Sequence, residues 1–155
     1  MKYIVTGGAG FIGSHLSESL SMKGHEVSII DDLSSGKIGN ISHLIKDNKV
    51  SFVQGSITDL GFLQEQFSGA DGVFHQAAFV SVPRSIEDPL FNHTINITGT
   101  LNILLAARDA GVRKVVFASS AAIYGNLPDL PKREDMTVDP QSPYAVAKLT
   151  GEYYC

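Results

Sequence analysis

Residues 6–13 read Thr6-Gly7-Gly8-Ala9-Gly10-Phe11-Ile12-Gly13 and follow a short apolar run, Lys2–Thr6, that reads as a strand. Gly7 permits a tight turn, Gly10 lets the backbone approach a pyrophosphate, and Gly13 lets a helix pack closely on the strand. The helix is read over Phe11–Lys23 and stops at Gly24, a good cap. Its first turn, with Phe11 and Ile12, offers N–H donors and the positive end of the helix dipole to phosphate oxygens. Glycines at this spacing are also compatible with a turn that binds nothing. Asp31 changes the balance: it ends a second strand, Glu26–Asp31, 18 residues after Gly13. A carboxylate there binds the adenosine ribose hydroxyls of a dinucleotide. It also repels a 2′-phosphate, so the expected coenzyme is NAD rather than NADP. Asp32 either shares this role or is a solvated loop charge, and the second reading is the stronger.

The same alternation continues outward from the turn. Asp32–Asn40 reads as a Ser/Gly loop and Ile41–Lys46 as a weak helix. Val50–Gln54 is a third strand, Leu60–Phe67 a helix and Gly72–His75 a fourth strand. Asp88–Ala110 is a long amphipathic stretch stopped by Gly111, Lys114–Ser119 a fifth strand, and Tyr144 opens a last helix. Strands separated by helical patterns predict an α/β fold with a doubly wound parallel sheet, a Rossmann fold with helices on both faces. The expectation is one NAD-binding domain over residues 1–155. It is also expected to be the N-terminal portion of a longer chain, with the substrate-binding part largely absent, because the last helix has barely begun at Gly151–Cys155.

Composition narrows the function classes. With 43% hydrophobic residues the chain can bury a real core, and a net charge of −4 with scattered signs argues against a nucleic-acid surface. Apolar runs stop short of the roughly 20 residues that a membrane helix needs, and the N-terminus shows no signal-peptide pattern. Cys155 is the one cysteine, so no internal disulfide can form, which fits the cytoplasm. No Cys/His cluster has metal-ligand spacing.

The chemistry is carried by Tyr144 and Lys148. Four residues apart, they share one helix face. A phenol with an ordinary pKa of about 10 is a poor base, and a neighbouring ammonium favours its ionised form. Beside a nicotinamide this pair makes a proton shuttle for oxidising an alcohol or reducing a ketone. Ser119 and Ser120 end the fifth strand, at the sheet edge where ligands bind. From the residues alone they are either a hydroxyl aimed at the reacting oxygen or a plain strand end.

Taken together, Thr6-Gly-Gly-Ala-Gly-Phe-Ile-Gly-Ser14, His75-Gln-Ala-Ala78, Asn96-Ile-Thr-Gly-Thr100, Ser119-Ser-Ala-Ala-Ile-Tyr-Gly125 and Ser142-Pro-Tyr-Ala-Val-Ala-Lys148 resemble the extended short-chain dehydrogenase/reductase family, specifically its nucleotide-sugar epimerases and dehydratases. The resemblance runs through the whole chain. It implies that Ser120, Tyr144 and Lys148 form the catalytic set. It also implies that the turn with Gln76, Ala77 and Ala78 packs near the coenzyme and that Asn96 helps hold the site. His75 reads better as a satisfied strand-end histidine, and Asn96 can at the same time brace a helix. Many relatives have Asp at the Ser56 position, accepting a hydrogen bond from the adenine amino group. Serine accepts more weakly, while Ile57 can still pack on the adenine face.

Dehydratases and decarboxylases of this kind are similar to one another in having acidic residues just after the Ser120 position. Here Ala121 and Ala122 stand there and can exchange no proton. The resemblance therefore implies a UDP-hexose 4-epimerase of the UDP-glucose/UDP-galactose type. Tyr144 would take the proton of the sugar 4-hydroxyl during transient NAD-dependent oxidation at C4, and Ser120 would hydrogen-bond the 4-oxygen. Lys148 would lower the Tyr144 pKa and bind the nicotinamide ribose. The segment His75–Ser85 is also similar to that of epimerases acting on UDP-N-acetylhexosamines. In that case Ser81 and Ser85 reach a sugar hydroxyl and Arg84 a phosphate; otherwise this is a polar loop with a solvated arginine. The alternatives are a UDP-N-acetylglucosamine 4-epimerase, another NAD-dependent nucleotide-sugar dehydratase or decarboxylase, and an NAD-binding module inactive by itself. A homodimer through Asp88–Ala110 and the Tyr144 helix fits their apolar second faces.

Overall fold

Five parallel strands form the centre of the computed structural model, which describes residues 1–155. They are β1 (Lys2–Thr6), β2 (Glu26–Asp31), β3 (Ser51–Gln54), β4 (Gly72–His75) and β5 (Lys114–Phe117). Their spatial order is β3-β2-β1-β4-β5. The chain thus starts at the sheet centre, winds out to β3, then crosses back to β4 and β5. This is the doubly wound arrangement, whose winding reverses between β1 and β4 and opens a crevice at the carboxyl ends of the strands. Thr6, the last residue of β1, stands in register with Ile30 on one side and His75 on the other.

Alternate strand residues point to opposite faces, and this divides the core in two. On one face Ile4, Ile30 and Val73 pack with Leu63 of α3 (Leu60–Gln66) and with Ile103, Ala106 and Ala107 of α6 (Gly99–Asp109). On the other, Val5, Val27 and Ile29 pack with Leu20 of α1 (Phe11–Met22) and Leu44 of α2 (Ser42–Lys46). The central strands are buried on both sides, as parallel strands covered by helices must be. No helix is long and apolar enough to cross a membrane.

The elements depart from the sequence reading in several places; among the strands, β5 stops at Phe117, short of Ser119, and β3 starts at Ser51 rather than Val50. The loop expected after β4 contains a helix, α4 (Val82–Glu87): the Ser81 side chain accepts the Arg84 N–H and Pro83 sits in the first turn, a start signal that the sequence does carry. The amphipathic stretch 88–110 is not one regular helix. Asp88 caps α5 (Pro89–His93), a single wide π turn (Thr94–Thr98) follows, and α6 continues from it. The first helix ends at Met22, with Lys23 as its cap and Gly24 left-handed at φ 78°. Past β5 a short 3-10 turn (Ala121–Tyr124) leads through residues 125–142 to α7 (Pro143–Tyr154).

Candidate functional site

The turn after β1 is closed by backbone. Gly7 is left-handed at φ 67°, and a Cβ there would meet the Ala77 nitrogen at 2.6 Å. A Cβ on Gly13 would meet the Gly7 carbonyl oxygen at 2.2 Å, so α1 can approach β1 only with glycine there. Gly10 differs: its nearest neighbour is the Gly7 oxygen at 3.2 Å, and its outer side is open. The Asp31 carboxylate, 7% exposed, reaches back to this turn and accepts the Ala9 N–H at 2.9 Å and the Leu33 N–H at 2.8 Å. The Ala9 carbonyl accepts from the Lys37 N–H and from Asn40 Nδ2. The loop after β2 is thereby tied to the glycine-rich turn. Asp32 is turned outward and accepts the Ser34 N–H at 2.9 Å.

A cavity of about 450 Å³ runs along the carboxyl edge of the sheet. Gly7, Gly10, Phe11, Ile12, Gly13, Asp31 and Asp32 form one part of its wall, Ile57, Gln76, Ala77 and Ala78 another, and Tyr144 and Lys148 complete it. These residues come from five separate stretches of sequence and meet only in the fold. Ser119, one of the two serines weighed from the sequence, also lines it, and so do Ser34, Ser35, Gly36, Gly55, Ile95 and Ala118, which were missed. The Ser34–Gly36 run directly after the acidic pair was a usable signal; the others carry no local pattern.

Helix α7 presents Tyr144, Lys148 and Gly151 inward, at helical spacing. Gly151 lies against the Phe117 ring, where a Cβ would come within 2.5 Å, so the helix sits close on the end of β5. The Lys148 ammonium donates to the Ala118 carbonyl at 2.8 Å and lies 4.8 Å from the Phe117 ring centroid and 5.9 Å from that of Tyr144. Burial pushes the Lys148 pKa down to about 8, so the ammonium persists at neutral pH and is lost above it. Ser120, next to the cavity wall rather than in it, caps the 3-10 turn by accepting the Ala122 N–H at 3.2 Å. Ser119 Oγ is buried without a partner.

His75 is buried beneath this wall and bonded at both ring nitrogens. Thr100 Oγ1 gives its hydrogen to the Asn96 carbonyl at 2.7 Å. It must then accept from His75 Nε2 at 3.1 Å, leaving Nδ1 to accept from the Thr6 hydroxyl at 2.8 Å. Thr6 Oγ1 in turn accepts the Ala77 N–H at 3.3 Å. Burial first, and then the Lys148 charge, push the His75 pKa down to about 3. It is a neutral strut between the glycine-rich turn and α6.

The remaining residues singled out from the sequence stand outside the cavity wall. Asn96 is buried and spends its amide on Phe79, accepting the Phe79 N–H at 2.8 Å and donating to its carbonyl at 3.0 Å. It braces the turn that carries Ala77 and Ala78. Ser56 pairs with the Thr58 hydroxyl and accepts the Thr58 N–H. Ser81 caps α4, and the Arg84 guanidinium lies over the Phe79 ring at 4.8 Å. The expectation that Ser85 reaches a sugar hydroxyl is corrected: Ser85 is fully buried and its Oγ accepts the Tyr144 N–H.

The site has the form that a dinucleotide requires. The open side of Gly10 at a helix N-terminus suits a pyrophosphate, the nearby Asp31 carboxylate suits a ribose, and a lysine and a phenol stand at the far end. Residues 4–155 match the family model described as GDP-mannose 4,6 dehydratase, and the chain belongs to that family, within the extended short-chain dehydrogenase/reductases. It is 47% identical over 157 residues to the UDP-glucose 4-epimerase of Mycolicibacterium smegmatis, an alignment that covers 99% of this chain and 50% of that one. Among solved structures it is similar to the Thermus thermophilus UDP-glucose 4-epimerase complexed with NAD (TM-score 0.89, 41% identity, 99% and 49% of the two chains). It is also similar to the Methanobrevibacter ruminantium UDP-N-acetylglucosamine 4-epimerase bound to UDP-N-acetylmuramic acid (TM-score 0.91, 38% identity, 99% and 48%). The chain spans about half the length of the curated relatives it matches.

Proposed function

We propose that this chain is the NAD-binding part of a UDP-hexose 4-epimerase of the UDP-glucose/UDP-galactose type. The observation that carries the reading is the single cavity joining the Asp31 carboxylate, the glycine-rich turn and the Tyr144–Lys148 pair. Gly7, Gly10, Phe11, Ile12 and Gly13 would hold the pyrophosphate, Asp31 the adenosine ribose, and Ile57 the adenine face. Bound NAD would supply reversible hydride acceptance at the sugar C4. Tyr144 would take the 4-hydroxyl proton and give it back to the 4-oxygen when hydride returns to C4 on either face, and the Ser120 hydroxyl would hold the 4-oxygen. Lys148 has one hydrogen committed to Ala118 and two left for a ribose hydroxyl and for stabilising the phenolate. Acid–base catalysis of this kind contributes roughly 10²–10⁴-fold, and positioning supplies much of the rest.

Ala121 and Ala122 weigh against dehydration, because neither side chain can exchange a proton with the sugar. The second reading, a UDP-N-acetylglucosamine 4-epimerase, draws on the His75–Ser85 segment and on the likeness to an epimerase of that specificity. The cytoplasm and a homodimeric assembly belong to the same proposal. The test is to incubate the full-length protein with UDP-galactose and, separately, with UDP-N-acetylgalactosamine, following products by NMR and NADH by absorbance. Conversion to the 4-epimer without net NADH is expected, and the faster substrate decides between the two sugars. Stoichiometric NADH, or a dehydrated product, overturns the reading.

A further inference from the structure

We propose that Ser85 is a second cap of α7, a positioning residue that holds the backbone of Tyr144 in place from across the sheet edge. As a statement about catalysis this rests on the reading of Tyr144 as the acid–base.

The first turn of any helix has N–H groups without partners inside the helix. In α7 three residues share this problem, and each is handled differently. Pro143, in the first position, has no N–H to satisfy. The Ala145 N–H is taken by Ser142 Oγ, the local cap, at 3.2 Å. The Tyr144 N–H, between them, has no local partner and is taken by Ser85 Oγ at 3.2 Å, 59 positions earlier in the chain. The direction of that bond is fixed. The Ser85 hydroxyl gives its own hydrogen to the Val82 carbonyl at 2.7 Å, so toward α7 it can only accept. Ser85 is 0% exposed, and water cannot replace it.

The origin of the cap matters as much as its existence. Ser85 lies on α4, which continues from the turn that supplies Gln76, Ala77, Ala78 and Val80 to the cavity wall. That turn is itself clamped at Phe79 by the Asn96 amide. Tyr144 is therefore indexed to the opposite wall of its own cavity through Asn96, Phe79 and Ser85. As the second residue of its helix it stands where helices fray most easily. A proton shuttle tolerates little displacement: a shift near 1 Å can cost about a hundredfold in rate.

The test combines two signals of the chain itself with kinetics of the full-length protein. In the NAD-loaded chain, Ser85→Ala should speed hydrogen exchange at the Tyr144 amide by roughly tenfold, as loss of an ordinary cap implies. It should also move the Tyr144 ring resonance in spectra of ring-labelled tyrosine, assigned by Tyr144→Phe. NAD affinity should stay within about twofold, because Ser85 is outside the coenzyme wall. Ser142→Ala is the control. It should release the Ala145 amide and lower the melting temperature comparably, with the Tyr144 amide still protected and its ring signal in place. Ser85→Thr, which keeps the hydroxyl, should restore the parent signals. If Ser85→Ala does not fold, Ser85→Cys, with a weaker acceptor of similar size, serves instead. In turnover, kcat should fall roughly ten- to a hundredfold with KM for the UDP-sugar within about threefold. An unchanged Tyr144 amide or ring signal in the alanine variant overturns the proposal, as does an unchanged kcat. If the parent protein turns over no UDP-sugar, the epimerase reading fails, while the amide and ring signals still decide the role of Ser85.

Discussion

Asp31 and Ala9 are joined by a hydrogen bond of 2.9 Å from the Ala9 amide to the Asp31 carboxylate. The acidic end of β2 and the glycine-rich turn after β1 are therefore one unit, and Asp31 has a structural duty besides any coenzyme contact. Asp31→Ala should weaken NAD binding and also lower stability by about 1–3 kcal/mol, the usual cost of leaving a buried amide unpaired. Calorimetric titration with NAD and thermal melts of the apo chain separate the two effects. Unchanged NAD affinity would exclude the ribose contact, and an unchanged melting temperature would exclude the structural one.

Two glycines of the turn should respond in opposite ways. At Gly13 a methyl group would meet the Gly7 oxygen at 2.2 Å, so Gly13→Ala should push α1 off the sheet and cost the fold at least 2–3 kcal/mol, roughly the upper range for overpacking. Gly10 has extended backbone (φ −78°, ψ 178°) and a 3.2 Å nearest neighbour. Gly10→Ala should therefore melt within a few degrees of the parent yet lose most of its NAD affinity, because the methyl occupies the side from which a pyrophosphate approaches. Melting curves with and without NAD test the pair.

Tyr144→Phe should keep NAD affinity and lose about 10²-fold or more in turnover, measured on the full-length protein. Lys148→Met should lose turnover too, with an opposite effect on stability. The folded-state pKa of Lys148 lies near 8, below its ordinary 10.5. Its burial therefore costs stability fully below pH 8, and the cost fades as pH rises toward 10.5. The methionine variant should be more stable than the parent at pH 7 by up to about 3 kcal/mol, less whatever the lost bond to Ala118 contributes. The gap should close between pH 8 and 10.5 in chemical denaturation. A gap constant with pH would mean that Lys148 is not held in this environment.

His75 has the same logic on the acid side. Its folded pKa, near 3, is below the ordinary 6.5, so the unfolded chain takes up a proton that the folded chain refuses. Stability from this site is complete above pH 6.5 and declines as pH falls from 6.5 toward 3, by about 1.4 kcal/mol per unit. His75→Gln should be less stable at pH 7.5, having lost the strut between Thr6 and Thr100, but should fall less steeply below pH 6.5. Parallel slopes for parent and variant would show that His75 is protonated in the folded state.

Much of this molecule is decided by residues close together in the chain. The turn Gly7–Gly13 needs three small residues within one loop and helix start, the strands need mostly apolar runs of four to six residues, and Tyr144 and Lys148 share a face because a helix repeats every 3.6 residues. These relations hold before any tertiary contact forms, and from them the sequence by itself determined the doubly wound sheet, the glycine-rich turn at its carboxyl edge and the shared helix face of Tyr144 and Lys148. The partners of buried polar groups are a different matter. Ser85 resembled a substrate contact until the fold placed its hydroxyl on the Tyr144 amide, and His75 became a strut because Thr6 and Thr100, 69 and 25 positions away, close on its two nitrogens. The wide turn at Thr94–Thr98 likewise carries Asn96, whose amide closes on Phe79, 17 positions earlier. A buried hydroxyl, imidazole or amide must find a partner wherever packing brings one, and that choice is made by the assembled sheet and helices.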